Sequence, residues 1–205
     1  ETDAVIDDFA AAGGKIVVNT LKNVVSSVRV YGTDGKLERT LDFPTLGTVS
    51  QVRGRWAGDE VFFTFSSFLV PNSIQRYAAS SGERKDWWKP DVPVKAEGAE
   101  VKQVWFKSKD GTKIAMFLVH KKGLKPDGKN PTYLTGYGGF TISETPAFKP
   151  LAALWVERGG VYALPNLRGG GEFGEAWHRS GMLDKKQNVF DDFLAAADWL
   201  KTNRY

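Results

Sequence analysis

Ser27-Val28-Arg29-Val30-Tyr31 returns as Ser73-Ile74-Gln75-Arg76-Tyr77, 46 positions further on. Each copy then runs through a glycine turn into a charged strand and ends at a proline, Pro44 and Pro90, again 46 apart. A repeat in the forties is the length of one four-stranded propeller blade. Outward from the two copies, apolar β-formers recur at Lys15–Leu21, Val24–Tyr31, Leu37–Leu41, Thr48–Val52, Glu60–Ser66 and Ser73–Tyr77. Gly32-Thr33-Asp34-Gly35, Ala57-Gly58-Asp59 and Ser80-Ser81-Gly82 lie between them as hairpin connections. Strands this short and even imply a sandwich, barrel or propeller, and the repeat selects the propeller. Two blades cannot close a ring, so further blades are expected outside this sequence.

After Pro90-Asp91-Val92-Pro93 the pattern changes. Two strands, Val101–Lys107 and Thr112–Lys121, flank the turn Lys109-Asp110-Gly111, and a third, Thr132–Thr135, runs into Gly136-Tyr137-Gly138-Gly139-Phe140. A helix is predicted after Pro150, with Leu151, Leu154 and Trp155 on one face and Gly159-Gly160 as its stop. A strand, Val161–Leu167, and a glycine-rich loop follow. The last element is a helix with Asn188 as N-cap and Phe190, Phe193, Leu194, Ala197 and Leu200 at helical spacing. A hairpin entering alternating strands and helices reads as an α/β fold with a mostly parallel sheet. The boundary falls at 92/93, giving propeller blades over 1–92 and the α/β part over 93–205.

Composition narrows the chemistry. The chain has no cysteine, which excludes disulfides, thiolate metal sites and a cysteine nucleophile. Its only histidines are His120 and His178, too few for a histidine metal site, so no metal and no cofactor are expected. His120 ends an alternating strand and reads as surface or hairpin-edge, and His178 as a loop residue that packs or hydrogen-bonds. The formal charge of +4 comes with lysines scattered through both halves, a solvated face rather than a nucleic-acid footprint. No apolar run approaches the roughly 20 residues of a membrane span. The chain opens Glu1-Thr2-Asp3 and stops at Asn203-Arg204-Tyr205 just after a helical pattern, so it reads as an internal piece of a longer protein.

Gly169-Gly170-Gly171-Glu172-Phe173-Gly174 formally matches a dinucleotide-binding G-x-G-x-x-G. It does not open a periodic helix. The acidic pair Asp191-Asp192 sits in a helical first turn, where carboxylates favour the dipole, rather than at a strand end. A structural loop needing close backbone approach is the better reading. Gly136-Tyr137-Gly138-Gly139-Phe140 admits two readings: a tight turn with a buried aromatic, or a turn that presents a phenol. A tyrosine hydroxyl keeps its proton at neutral pH and is a durable donor, and the loop after an early strand of an α/β-hydrolase supplies part of the oxyanion hole. No G-x-S-x-G nucleophile elbow occurs in the chain.

Taken together, the second half resembles the prolyl oligopeptidase family. The stretches that carry the resemblance are Ser108–Ile114, Val119–Gly123, Gly136–Phe140, Asn166–Glu175, Trp177-His178 and Lys185–Phe193, in the family's order. They cover residues from about 100 to 205. The first half fits more loosely, chiefly through Phe65–Pro71, similar to the family's last propeller blades. The resemblance implies a seven-bladed propeller capping an α/β-hydrolase domain, and a serine endopeptidase that cleaves short peptides after proline through a Ser-Asp-His triad. By motif position, Tyr137 is similar to the tyrosine that supports the oxyanion and Phe140 to an aromatic lining the proline pocket. The triad lies further along in the family, beyond these residues, and His178 is no part of it. The segment alone is therefore expected to be inactive.

The partners implied are short proline-containing peptides, without nucleic acid or membrane, and the complete protein would be a monomer. The cytoplasm is favoured over the periplasm. A related oligopeptidase of other cleavage specificity, or a non-catalytic propeller and hydrolase-like binding protein, are the alternatives. One residue departs from the family. Pro165 stands inside Val161–Leu167 where a small non-proline residue is usual, and a proline removes a ladder donor from an interior strand.

Overall fold

The computed structural model of the chain describes residues 4–93 and 98–205. They divide into two compact units, one reaching to Pro93 with Pro146–Phe148 and the other holding the rest. The linker reading at 90–93 meets residues 94–97, which lie outside the described ones.

The first unit contains two four-stranded antiparallel sheets. One is β1 (Val5–Ala12), β2 (Lys15–Lys22), β3 (Val25–Gly32) and β4 (Leu37–Thr40) in that order; the other is β5 (Thr48–Gly54), β6 (Glu60–Ser67), β7 (Val70–Ala78) and β8 (Arg84–Trp88). Each sheet is a meander of four neighbouring strands, the form of a propeller blade. The repeated pentapeptides occupy the same place, the third strand of each blade. The Gly32–Gly35 turn closes through Gly32 N–H to Lys36 O at 3.0 Å and Gly35 N–H to Gly32 O at 3.0 Å.

A shared core of Val17, Val28, Val30, Val49, Val61, Phe63, Phe65 and Tyr77 joins the blades. Val28 and Val30 face it from β3, yet 46 positions on, Ser73, Gln75 and Tyr77 are the buried residues of β7, not Ile74 and Arg76. Equivalent residues thus point the same way round, one blade's front against the next blade's back. Blades turning about a common axis pack so, whereas a two-fold sandwich would bring equivalent faces together.

In the second unit a mixed sheet runs β11-β12-β10-β9. The hairpin β9 (Ala99–Lys107) and β10 (Lys113–Lys121) is antiparallel, and so is β10 with β12 (Val161–Pro165). β11 (Thr132–Leu134) runs parallel to β12, with α1 (Pro150–Glu157) as the crossover. A short α2 (Glu175–Arg179), a 3₁₀ turn (Leu183–Lys185) and α3 (Gln187–Thr202) follow. Every residue of β12 is buried, as is β10 from Ile114 to His120, which is the signature of strands covered on both faces. Among the described residues no helix is long and apolar enough to cross a membrane.

Several expectations are corrected here. His120 is 1 % exposed rather than at the surface, because β10 has no solvent face for an alternating pattern to report. α1 buries Ala152, Ala153 and Val156, leaving Leu151 and Leu154 exposed. α3 starts two residues earlier than expected. Lys186 is its N-cap, and the Asn188 side chain instead donates to Ser180 O at 2.8 Å. The buried face of α3 is Val189, Asp192, Ala196 and Leu200, while Phe190 and Leu194 are exposed. The segment around Trp177 and His178 is helical rather than irregular.

Pro165 proves compatible with its strand. It pairs with Met116, and Asn166 N–H donates to Ala115 O at 2.9 Å, so the pair belongs to the non-hydrogen-bonded kind. The missing donor therefore faces away from β10, toward β11, whose last paired residue is already Leu134.

Candidate active site

The carboxyl end of the parallel strand β11 leads directly into Gly136-Tyr137-Gly138-Gly139-Phe140. The glycines are there for space and conformation. Gly138 has φ +62°, and a Cβ on it would lie 2.5 Å from Val189 Cγ1 and 2.8 Å from Leu167 Cβ. With Gly138 and Gly139 buried, Tyr137 is left 49 % exposed and Phe140 80 % exposed, their ring centroids 6.5 Å apart. The buried-aromatic reading of the turn is thus replaced by two presented rings. Among the described residues the Tyr137 hydroxyl has no hydrogen-bond partner, which leaves a donor free at a strand end.

Phe140 and Thr141 are both left-handed, with φ +52° and +55°. Non-glycine residues hold that conformation only where neighbouring structure imposes it. The neighbour is the glycine-rich loop 169–174. Thr141 N–H donates to Gly169 O at 3.3 Å and Gly171 N–H to Ile142 O at 3.4 Å, while Ile142 N–H closes the turn itself on Gly139 O at 3.0 Å. On one side Lys186 Nζ donates to Gly138 O at 2.7 Å. On the other, Glu144 N–H donates to Glu172 Oε1 at 3.0 Å, and Asn166 Nδ2 to Glu144 O at 2.9 Å. The triple glycine permits this approach: a Cβ on Gly171 would sit 2.4 Å from Thr141 O, and one on Gly170 would sit 2.0 Å from Glu172 Oε2.

The loop is fixed from below by Arg168, which is 4 % exposed. Its Nη2 donates to Asp192 Oδ1 at 2.6 Å and its Nε to Asp192 Oδ2 at 3.0 Å, while Nη1 reaches Asp110 Oδ2 at 2.5 Å and Nη2 reaches Ser108 Oγ at 3.3 Å. One guanidinium so ties the β9–β10 turn, the glycine loop and α3 together. Asp192 is no exposed dipole partner but a fully buried counter-ion. Sequence reasoning missed this pair and Glu172; the signal was an arginine and a glutamate bracketing the glycines.

The hydrogen bond from Arg168 holds the Asp110 carboxyl down at about 2 from its ordinary 3.8. A depressed carboxylate stabilises the fold above its unfolded value and loses that contribution as pH falls toward its folded one. Asp110→Asn should therefore differ from the parent more at about pH 5 than at about pH 2.5 in urea midpoint. Half the carboxyl is in solvent, so the effect is modest and salt-sensitive. An equal gap at both pH values would separate Asp110 from the acid response.

His178 Nδ1 donates to Gly169 O at 2.7 Å, which fixes its tautomer and gives it a structural task. Trp177 Nε1 donates to Leu167 O at 3.1 Å. Among the described residues no group of three or more His, Asp or Glu could hold a metal.

Comparison with known proteins bears on both units. The family model for the prolyl oligopeptidase family matches residues 146–205, and that for the prolyl oligopeptidase N-terminal beta-propeller domain matches residues 1–90. The chain is 42 % identical to the prolyl endopeptidase of Elizabethkingia miricola over 195 residues, 95 % of this chain and 28 % of that protein. It is 38 % identical to prolyl oligopeptidase A of Galerina marginata over 211 residues, again 28 % of that protein. Of the solved structures, apo prolyl oligopeptidase B from Galerina marginata superposes with a TM-score of 0.88 at 35 % identity, covering 100 % of this chain and 30 % of that one. A post-proline cleaving enzyme from Rickettsia typhi gives 0.77 at 32 %, covering 100 % of this chain and 30 % of that one. The chain spans a little over a quarter of the length of these relatives.

Proposed function

This chain belongs to the prolyl oligopeptidase family, and from that premise we propose that the whole protein is a serine endopeptidase cleaving short peptides on the carboxyl side of proline. In this reading residues 1–92 are propeller blades and 93–205 the first part of the α/β-hydrolase domain. The single observation that carries the proposal is the Tyr137 hydroxyl, without a hydrogen-bond partner among the described residues and presented at the end of a parallel strand on a glycine-tight turn.

The chemistry is acyl transfer. A serine supplied outside these 205 residues attacks the carbonyl of the proline itself, and a histidine, also outside them, takes the proton and returns it to the leaving amine. Water then hydrolyses the resulting ester to free the serine. Tyr137 donates to the oxyanion as it forms, when that bond is worth most. Phe140 offers its exposed ring to the pyrrolidine of the substrate. The propeller filters by size, and the protein works as a monomer without cofactor.

The test is cleavage of a chromogenic Gly-Pro substrate by the full-length protein, with a serine-reactive phosphonate as control. Phosphonate-sensitive cleavage after proline is the expected result. Cleavage only after basic residues would shift the reading to a sister oligopeptidase, and no cleavage of any peptide to a binding protein.

A further inference from the structure

The Glu172 carboxyl folds back beneath Gly170, and its two oxygens fare differently. Oε1 accepts Glu144 N–H at 3.0 Å and Asn166 Nδ2 at 3.4 Å. Oε2 is shut off from solvent with no partner among the described residues, and so is Oδ1 of the fully buried Asn166. A carboxylate in such a place pays full desolvation for one oxygen unless it is protonated there. In keeping with that, burial pushes the Glu172 carboxyl above the usual range. Such a group is retained for what its other oxygen does.

What Oε1 does is hold the far end of a strained segment. Between the Lys186 bond to Gly138 O and the Glu172 bond to Glu144 N–H lie the two consecutive left-handed residues, Phe140 and Thr141. Within that span Ile142 N–H closes the turn on Gly139 O at 3.0 Å, but the two bonds that seat the turn against the glycine loop are longer, 3.3 and 3.4 Å, so they do not hold its place by themselves. Releasing Glu144 would let the closed turn shift against the glycine loop, carrying the Phe140 ring with it.

We infer that Glu172 is a positioning residue that fixes the Phe140–Thr141 pose through the backbone of Glu144, and thereby sets how well the Phe140 ring meets the residue bound beside it. The consequence for substrate rests on the peptidase reading; the pose itself does not. Glu172 touches no substrate. It acts as the anchor of a sprung loop.

Two readouts on the full-length protein test it. The first is amide hydrogen exchange. Glu172→Ala should speed exchange at Glu144 about tenfold or more, since that N–H loses its acceptor, with Phe140–Thr141 following. The second is steady-state cleavage of the Gly-Pro substrate. Glu172→Ala should raise KM about tenfold with kcat changed less than about twofold, the mark of lost binding common to ground and transition states. Glu172→Gln keeps an accepting oxygen and mimics the protonated acid, so it should restore both readouts to near the parent values. Should the alanine variant fail to fold, Glu172→Asp, too short to reach Glu144, takes its place. Unchanged exchange at residues 140–144, or a glutamine variant as impaired as alanine, overturns the inference. If the parent itself cleaves no proline substrate, the peptidase reading falls and the exchange result alone decides the anchor.

Discussion

Tyr137→Phe in the full-length protein is expected to lower kcat about 100- to 1,000-fold while leaving KM and thermal stability near the parent values. Both halves of this expectation come from the same geometry. The hydroxyl has no protein partner among the described residues and its ring is half in solvent, so its removal strands no buried polar atom. The turn is held by Lys186, Glu172 and the glycine-loop backbone, none of which needs the phenol. A donor used only as negative charge develops on oxygen lowers kcat and kcat/KM together when lost. Kinetics with the chromogenic proline substrate and a melting curve decide the matter. Undiminished kcat would remove Tyr137 from the chemistry; a large fall in melting temperature would make it a structural residue.

Asp192→Ala is expected to destabilise the protein by about 3–5 kcal/mol, a large share of a typical domain's stability. Its carboxylate is fully buried and accepts from Arg168 through the backbone N–H at 3.1 Å, through Nε and through Nη2. Removing it leaves a guanidinium that is 4 % exposed with Asp110 as its remaining ionic partner. Among the described residues the adjacent Asp191 bonds only an exposed Gln187 on its own helix, so Asp191→Ala should stay within about 0.5 kcal/mol. Urea unfolding of both variants separates them. Equal losses would mean that the buried pair carries no special weight.

The blades were legible because a repeat multiplies weak evidence: each hairpin alone is ambiguous, but the same strand at the same place 46 residues on is not. The first strand, Val5–Ala12, escaped because Asp7-Asp8 and Ala10–Ala12 have low β-propensity and are drawn into the sheet by pairing with β2. The glycine turn carrying Tyr137 and Phe140 was visible as a place where the chain must bend sharply.

The parts below it were not. Asp192 lies on the buried face of α3, yet periodicity reasoning assigns charged residues to water, and its neutralising partner is 24 positions upstream on another element. His120 was misplaced for a related reason. Alternation reports a solvent face, and β10 has none from Ile114 to His120. Pairing across elements is a tertiary fact that no local window contains.

That loss of alternation also raises a question of alignment, and Pro165 answers it. Strands buried on both sides have little to tell them which neighbour to sit beside, since sliding by one residue exchanges one apolar surface for another. β10 and β12 are such strands. In the native pairing, Pro165 opposite Met116 gives up no bond to β10. Slid by one position, β12 must turn over, and the proline nitrogen would then point at a β10 carbonyl with no hydrogen to offer. The residue that looked out of place in the sheet acts as a key cut for a single alignment, rejecting the nearest wrong fit while the chain is still finding its neighbours.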